Sequence, residues 1–121
     1  MIELLPGFPD AVVAAACRGH VTREDYDSVL IPRVAEALKK HDAVRVYYQI
    51  GDDFNGIDPG AVWEDIVVGV SHLPHWDRIA VVTDIGWIRT TMNMFGFLVP
   101  GKVRVFPASE VDAARKWIVS V

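Results

Sequence analysis

With one cysteine in 121 residues the chain cannot form an internal disulfide, so its stability must come from packing. The single thiol suits a reducing compartment. Basic residues are outnumbered, 12 against 16 acidic ones, for a formal net charge of −4. They form no block, so the electrostatic footprint of a nucleic-acid binder is missing and nucleic acid is excluded as a partner. No apolar run approaches the roughly 18 residues of a membrane span, and Met1-Ile2-Glu3-Leu4-Leu5 lacks the basic start of a secretory leader. The expectation is a soluble, cytoplasmic protein that visits a membrane surface at most peripherally. Linkers, repeats and low-complexity segments are also absent. At this length a single domain over residues 1–121 buries roughly two thirds of its unfolded surface.

What is present is a regular alternation of elements. Ile2 to Leu5 and Ala11 to Arg18 read as strands joined by a tight Pro-Gly-Phe-Pro-Asp turn, hence an antiparallel pair. At Thr22 the period changes to helical, through Tyr26, Leu30, Val34, Leu38 and His41, with Thr22 and Asp25 placed as a capping box. Pro32 lies inside this helix and predicts a kink near Ser28. Ala43 to Ile50 alternates, Val44, Val46, Tyr48 and Ile50 on one face and Arg45, Tyr47 and Gln49 on the other. A loop over residues 51–56 follows, and Asp58 with Pro59 opens a second helix whose inner face is Val62, Trp63, Ile66, Val67, Val70 and Leu73. Arg78 to Thr83 is the next strand and Lys102 to Phe106 the last. Ser109 and Asp112 are placed to cap a final helix through Val111, Ala114 and Ile118.

The resulting order, ββαβαβαβα, predicts an α/β fold with a mostly parallel sheet. A sheet covered on both faces has uniformly apolar strands. Arg45, Gln49, Lys102 and Arg104 interrupt that pattern, so the expectation is helices chiefly on one face and a wetter opposite face.

Residues 86–101 are more apolar than a small domain needs. At about 100° per residue Met94, Trp87, Leu98, Phe95, Ile88 and Met92 form one arc. Phe97 falls outside it, in the polar sector with Asn93, Thr90 and Arg89. Ile88, Met92 and Phe95 are therefore assigned to holding the fold. A ligand pocket is expected between this helix and the one before it, lined by Trp63, Val67, Trp87, Thr91, Met94 and Leu98. Phe97, Leu98 and Val99, running into Pro100-Gly101, are expected to be exposed and to touch a membrane or a partner.

Residues with chemical potential fit blander roles. His72 and His75 flank Leu73-Pro74, where the proline breaks their register and no third ligand is near, so no metal is expected. Cys17 alternates with Val13 and Ala15 as a small buried hydrophobe, and His20 lies past a glycine, which does not favour a thiol–imidazole pair. Asp84 ends a strand and is expected to cap the following helix. Glu64, Asp65, Asp52 and Asp53 read as solvated charges. Nothing supplies a nucleophile, a base and an oxyanion donor together, so no catalytic residue and no cofactor is assigned.

Several stretches resemble the SpoIIAA-like branch of the STAS domain superfamily: Val21-Thr22-Arg23-Glu24-Asp25-Tyr26, Leu30-Ile31-Pro32, Trp63-Glu64-Asp65, residues 78–84, Trp87-Ile88 and Val103-Arg104-Val105-Phe106-Pro107. The resemblance covers essentially the whole chain. It implies a superhelix of βα units similar to the lipid-binding lobe of CRAL-TRIO proteins, frequent self-association, and affinity for apolar ligands or membrane surfaces. Regulatory members carry a phosphorylatable serine before the second helix. Here Gly56-Ile57-Asp58-Pro59-Gly60 offers no hydroxyl, which argues against a phosphoserine switch. The function expected is a non-enzymatic carrier or sensor of an apolar small molecule or lipid. The alternative is an interaction module that forms a homodimer or binds a partner.

Overall fold

The computed structural model describes residues 1–51, 53–57, 76–95 and 102–120. Strand β1 (Ile2–Leu4) runs antiparallel to β2 (Val12–Cys17), pairing Ile2 with Cys17 and Leu4 with Ala15. Strands β4 (Val44–Ile50), β6 (Trp76–Val82) and β7 (Lys102–Phe106) add in parallel, giving one five-stranded sheet in the order β1-β2-β4-β6-β7. A separate ribbon pairs β3 (His20–Val21) with β5 (Gly56–Ile57), also in parallel. The latter strand occupies residues expected to belong to loop or to the region just after it. Two residues on each side make too short a pattern to read as period-two alternation.

The helical segment after β3 begins at α1 (Arg23–Asp25), passes through a π-helical turn (Tyr26–Leu30) and continues as α2 (Ile31–Lys40). The capping box is formed: the Thr22 N–H donates to Asp25 Oδ2 at 2.8 Å, and the Asp25 N–H donates to Thr22 Oγ1 at 3.1 Å. Pro32 has no N–H to give, and its ring crowds the preceding turn. The chain answers with the wider π turn, so Pro32 stands in the first turn of α2, where a missing N–H costs nothing. The Ser28 hydroxyl donates to the Glu24 carbonyl at 2.7 Å inside that irregular stretch. Helix α3 spans Gly86–Phe95, and a 3₁₀ turn (Ala108–Glu110) leads into α4 (Val111–Val119). The expected helix over 58–73 lies outside the described residues.

Two cores share the sheet. On one face Val13, Ala15, Cys17, Val44 and Val46 pack with Leu30, Val34 and Ala37 of the π turn and α2. On the other, Val12, Ala14, Tyr47, Ala80, Val82 and Phe106 pack with Ala114 and Ile118 of α4. Full burial of each larger aliphatic contributes about 1.5–3 kcal/mol. The steps from β2 to β4 and from β6 to β7 run the same way across the sheet, so right-handed crossovers place α2 and α3 on one face. Helix α4 covers the opposite face, where Ala114 and Ile118 meet the second core.

That last helix corrects the expectation of a wetter face. Arg45 reaches the carboxyl end of α4, where its Nη1 donates to the carbonyls of Ile118 and Ser120. Arg104 lies over the Trp117 ring, and Gln49 Oε1 accepts from the Tyr47 hydroxyl at 3.0 Å. These polar side chains surround a packed helix and do not mark a bare surface. Strand β2, buried at all six positions, shows the uniform apolar pattern of a strand covered on both sides.

Candidate functional site

The carboxyl ends of β2, β4 and β6 form the edge at which α/β sheets present ligand-binding loops. Beyond β2, Gly19 takes a left-handed φ of +54° that turns the chain into β3. Its carbonyl accepts from the Asn55 N–H at 2.8 Å, fastening the loop after β4 to the start of the small ribbon. Gly56 has a φ of +148°, and a β-carbon there would stand 3.3 Å from Nδ1 of His20, so the close approach of β3 and β5 requires glycine. Between these fixed points the Phe54 N–H donates to the Gly51 carbonyl at 3.1 Å, and the Phe54 ring packs half-buried against the α2-side core.

The Phe54 ring meets Trp87, centroid to centroid at 6.5 Å with a 40° tilt. Trp87 is 59% exposed on the first turn of α3, while its neighbour Ile88 is 7% exposed. The single apolar arc expected for this helix therefore divides at its start: Ile88 turns into the fold as assigned, and Trp87 does not. That first turn follows the end of β6 at Val82. The helix is tied at this point to the end of β6. The Ile85 N–H donates to Thr83 Oγ1 at 3.1 Å, and Arg89 Nη1 donates to the Thr83 carbonyl at 3.2 Å. Thr83 itself is fully buried and its N–H donates to the Phe106 carbonyl at 2.9 Å.

Of the expected pocket residues, Trp87 is at this edge, and Thr91 and Met94 follow it in α3. Trp63, Val67 and Leu98, with the expected contact residues Phe97, Leu98 and Val99, lie outside the described residues, as do His72, His75, Glu64 and Asp65. Phe54 was not foreseen. It is the single aromatic in the polar run Gly51-Asp52-Asp53-Phe54-Asn55-Gly56, and that isolation is the signal that marks it.

Asp84 does not cap the helix that follows it. Its Oδ1 accepts from the Ala108 N–H at 3.0 Å, across the ends of the adjacent strands β6 and β7. The carboxylate thus serves the 3₁₀ turn, and Thr83 takes the place at α3. This also displaces the caps expected from Ser109 and Asp112: Glu110 occupies the N-cap position of α4 without a side-chain bond. Cys17 is buried among apolar neighbours, as expected.

Two ionisable groups away from the edge are perturbed. Partial burial opposes ionisation of Asp25, but the Thr22 N–H, the amino terminus 3.2 Å away and the Thr22 hydroxyl outweigh it and hold its pKa below 3.8. Burial pushes the Tyr47 phenol above 10.0, against the pull of Arg115.

Fold and edge together define a class: an α/β protein with a mostly parallel sheet whose strand ends carry an aromatic pair. The chain belongs to the SpoIIAA-like family, whose model matches residues 12–119. Among solved structures it is similar to an uncharacterized protein from the DUF3478 family with a SpoIIAA-like fold, from Shewanella loihica PV-4. The two share 21% identity and a TM-score of 0.75, over 98% of this chain and 92% of that one. At that identity the likeness bears on the fold alone. No curated protein matches the chain.

Proposed function

We propose that this protein is a non-enzymatic binding module, a carrier or sensor that takes an apolar, lipid-like group at the edge formed by Phe54 and Trp87. The observation that carries the reading is Trp87, a large aromatic left 59% exposed beside a second ring at the carboxyl ends of parallel strands. A tryptophan in water with an aromatic flank offers apolar area and a ring face to a guest. One such contact gives weak, reversible attachment, which suits a carrier or a peripheral visitor to membranes. Among the described residues no helix is long and apolar enough to cross a membrane.

Nile red, a neutral apolar dye, tests the reading by fluorescence titration of the wild type and of Trp87→Ala. Saturable binding is expected, weakened about tenfold in the variant at unchanged melting temperature. Absence of saturation, or equal binding by the two proteins, refutes it. Sedimentation of the same samples separates it from a STAS-type interaction module. A dimer that Trp87→Ala dissociates, with no dye bound, would replace the carrier by a self-associating domain.

A further inference from the structure

Among the described strand residues three guanidinium groups, those of Arg45, Arg78 and Arg104, stand on the sheet face covered by α4, and two of them hydrogen-bond the end of that helix. Arg45 donates from Nε to Asp77 Oδ2 at 2.8 Å and from Nη1 to the carbonyls of Ile118 and Ser120. Arg78 Nη1 donates to the carbonyls of Trp117 at 2.7 Å and Ser120 at 3.1 Å, and to the Ser120 hydroxyl. Both are occupied at the carboxyl end of the helix, where the carbonyls need donors. Arg104 on β7 differs. Its guanidinium carbon lies 4.7 Å from the centre of the Phe106 ring and 5.4 Å from that of Trp117, and among the described residues it has no hydrogen-bond or ion-pair partner. Its side chain is exposed to solvent.

A guanidinium lying over aromatic rings is held by its face, and its N–H donors radiate in the plane, away from the rings. The two rings restrict the side chain before any ligand arrives, which lowers the entropic cost of using those donors. Two parallel N–H groups match the two oxygens of a carboxylate. The single charge of Arg104 matches one negative charge, while Arg45 and Arg78 each turn donors to the end of α4. From this geometry we infer that Arg104, seated on Phe106 and Trp117, is a recognition site for a carboxylate group of a ligand. The site is on the α4 side of the sheet, apart from the Phe54–Trp87 edge, and stands or falls independently of the apolar reading.

The test is a titration of the intact protein with sodium acetate, followed through the Arg104 side-chain Nε–H and the Trp117 indole N–H by nitrogen–proton NMR. Sodium chloride at matched ionic strength and inorganic phosphate form the other arms. Acetate is expected to move both resonances saturably, with the dissociation constant raised about tenfold in Arg104→Lys, which keeps the charge and loses the fork. Arg104→Gln should abolish saturation, read through the Trp117 indole N–H, at an unchanged melting temperature. The inference is overturned if chloride reproduces the shifts, if the acetate response is linear, or if Arg104→Lys binds as well as the wild type. Tighter binding of phosphate than of acetate would also overturn the carboxylate assignment.

Discussion

Trp87 and Ile88 are chain neighbours with opposite fates, one 59% and the other 7% exposed. A helical wheel puts both in one apolar arc. Burial of Ile88 was thus legible in the sequence. The exposure of Trp87 was not, since a wheel shows which residues share a face but not which neighbours meet the first turn of α3. The energetic consequence is lopsided. Ile88→Ala removes a buried side chain and should cost about 2–5 kcal/mol. Trp87→Ala removes one mostly in water and should change stability by about 0.5 kcal/mol. Urea unfolding of both variants, compared at constant m-value, checks the contrast. A large loss in Trp87→Ala would mean that its ring supports the Phe54 loop, and so would weaken its assignment to ligand contact.

At the level of elements, the four strands of the parallel run and the helices Gly86–Phe95 and Val111–Val119 follow the periods read from the chain, because each carries several apolar residues at one spacing. The departures have local causes that spacing does not encode. Pro32 produces a π turn where a simple kink was expected, and Asp84 serves the turn at Ala108 in preference to its own helix. A β-bulge inserts Asp77 between the positions facing Val44 and Arg45, which brings its carboxylate to Arg45. Most consequential is α4, whose carboxyl end is clamped by Arg45 and Arg78 from two neighbouring strands. Read one strand at a time, those arginines suggest water; read across the sheet, they cap a helix. Removing Arg78 leaves the Trp117 carbonyl without its charged donor and strips one cation from the Trp117 ring. Hydrogen bonds to charged groups contribute about 1.5–3 kcal/mol each. With Arg45 still in place, Arg78→Ala should cost about 1–2 kcal/mol and raise amide exchange in the last turn of α4 before it affects α2. Uniform loss of protection would instead show that the arginine supports the whole sheet.

Across the whole molecule, the two cores are joined through β2 and β4, which present alternate side chains to both faces. Damage to either face is therefore felt in one cooperative unfolding transition. This makes the pH dependence of stability readable from two groups placed on opposite sides of the sheet. Asp25 has its pKa held below 3.8 in the folded state, so below that value the unfolded chain binds the additional proton. Its contribution is complete above 3.8 and is lost as pH falls through the folded pKa. Tyr47 has its pKa raised above 10.0 by burial, so above that value the unfolded chain is the one that has released its proton. Its contribution is complete below 10.0 and declines as pH rises towards the folded pKa. Between these limits neither group tilts the profile. Urea midpoints measured across pH should therefore show an acid limb that Asp25→Asn flattens and an alkaline limb that Tyr47→Phe flattens, each variant leaving the other limb intact. Because Cys17 is buried in the α2-side core, its reaction with a thiol reagent gives an independent measure of opening and should follow the same midpoints. If thiol protection on one face and helix content as a whole separated at either pH extreme, the two cores would be unfolding in turn, and the shared strands would not couple them.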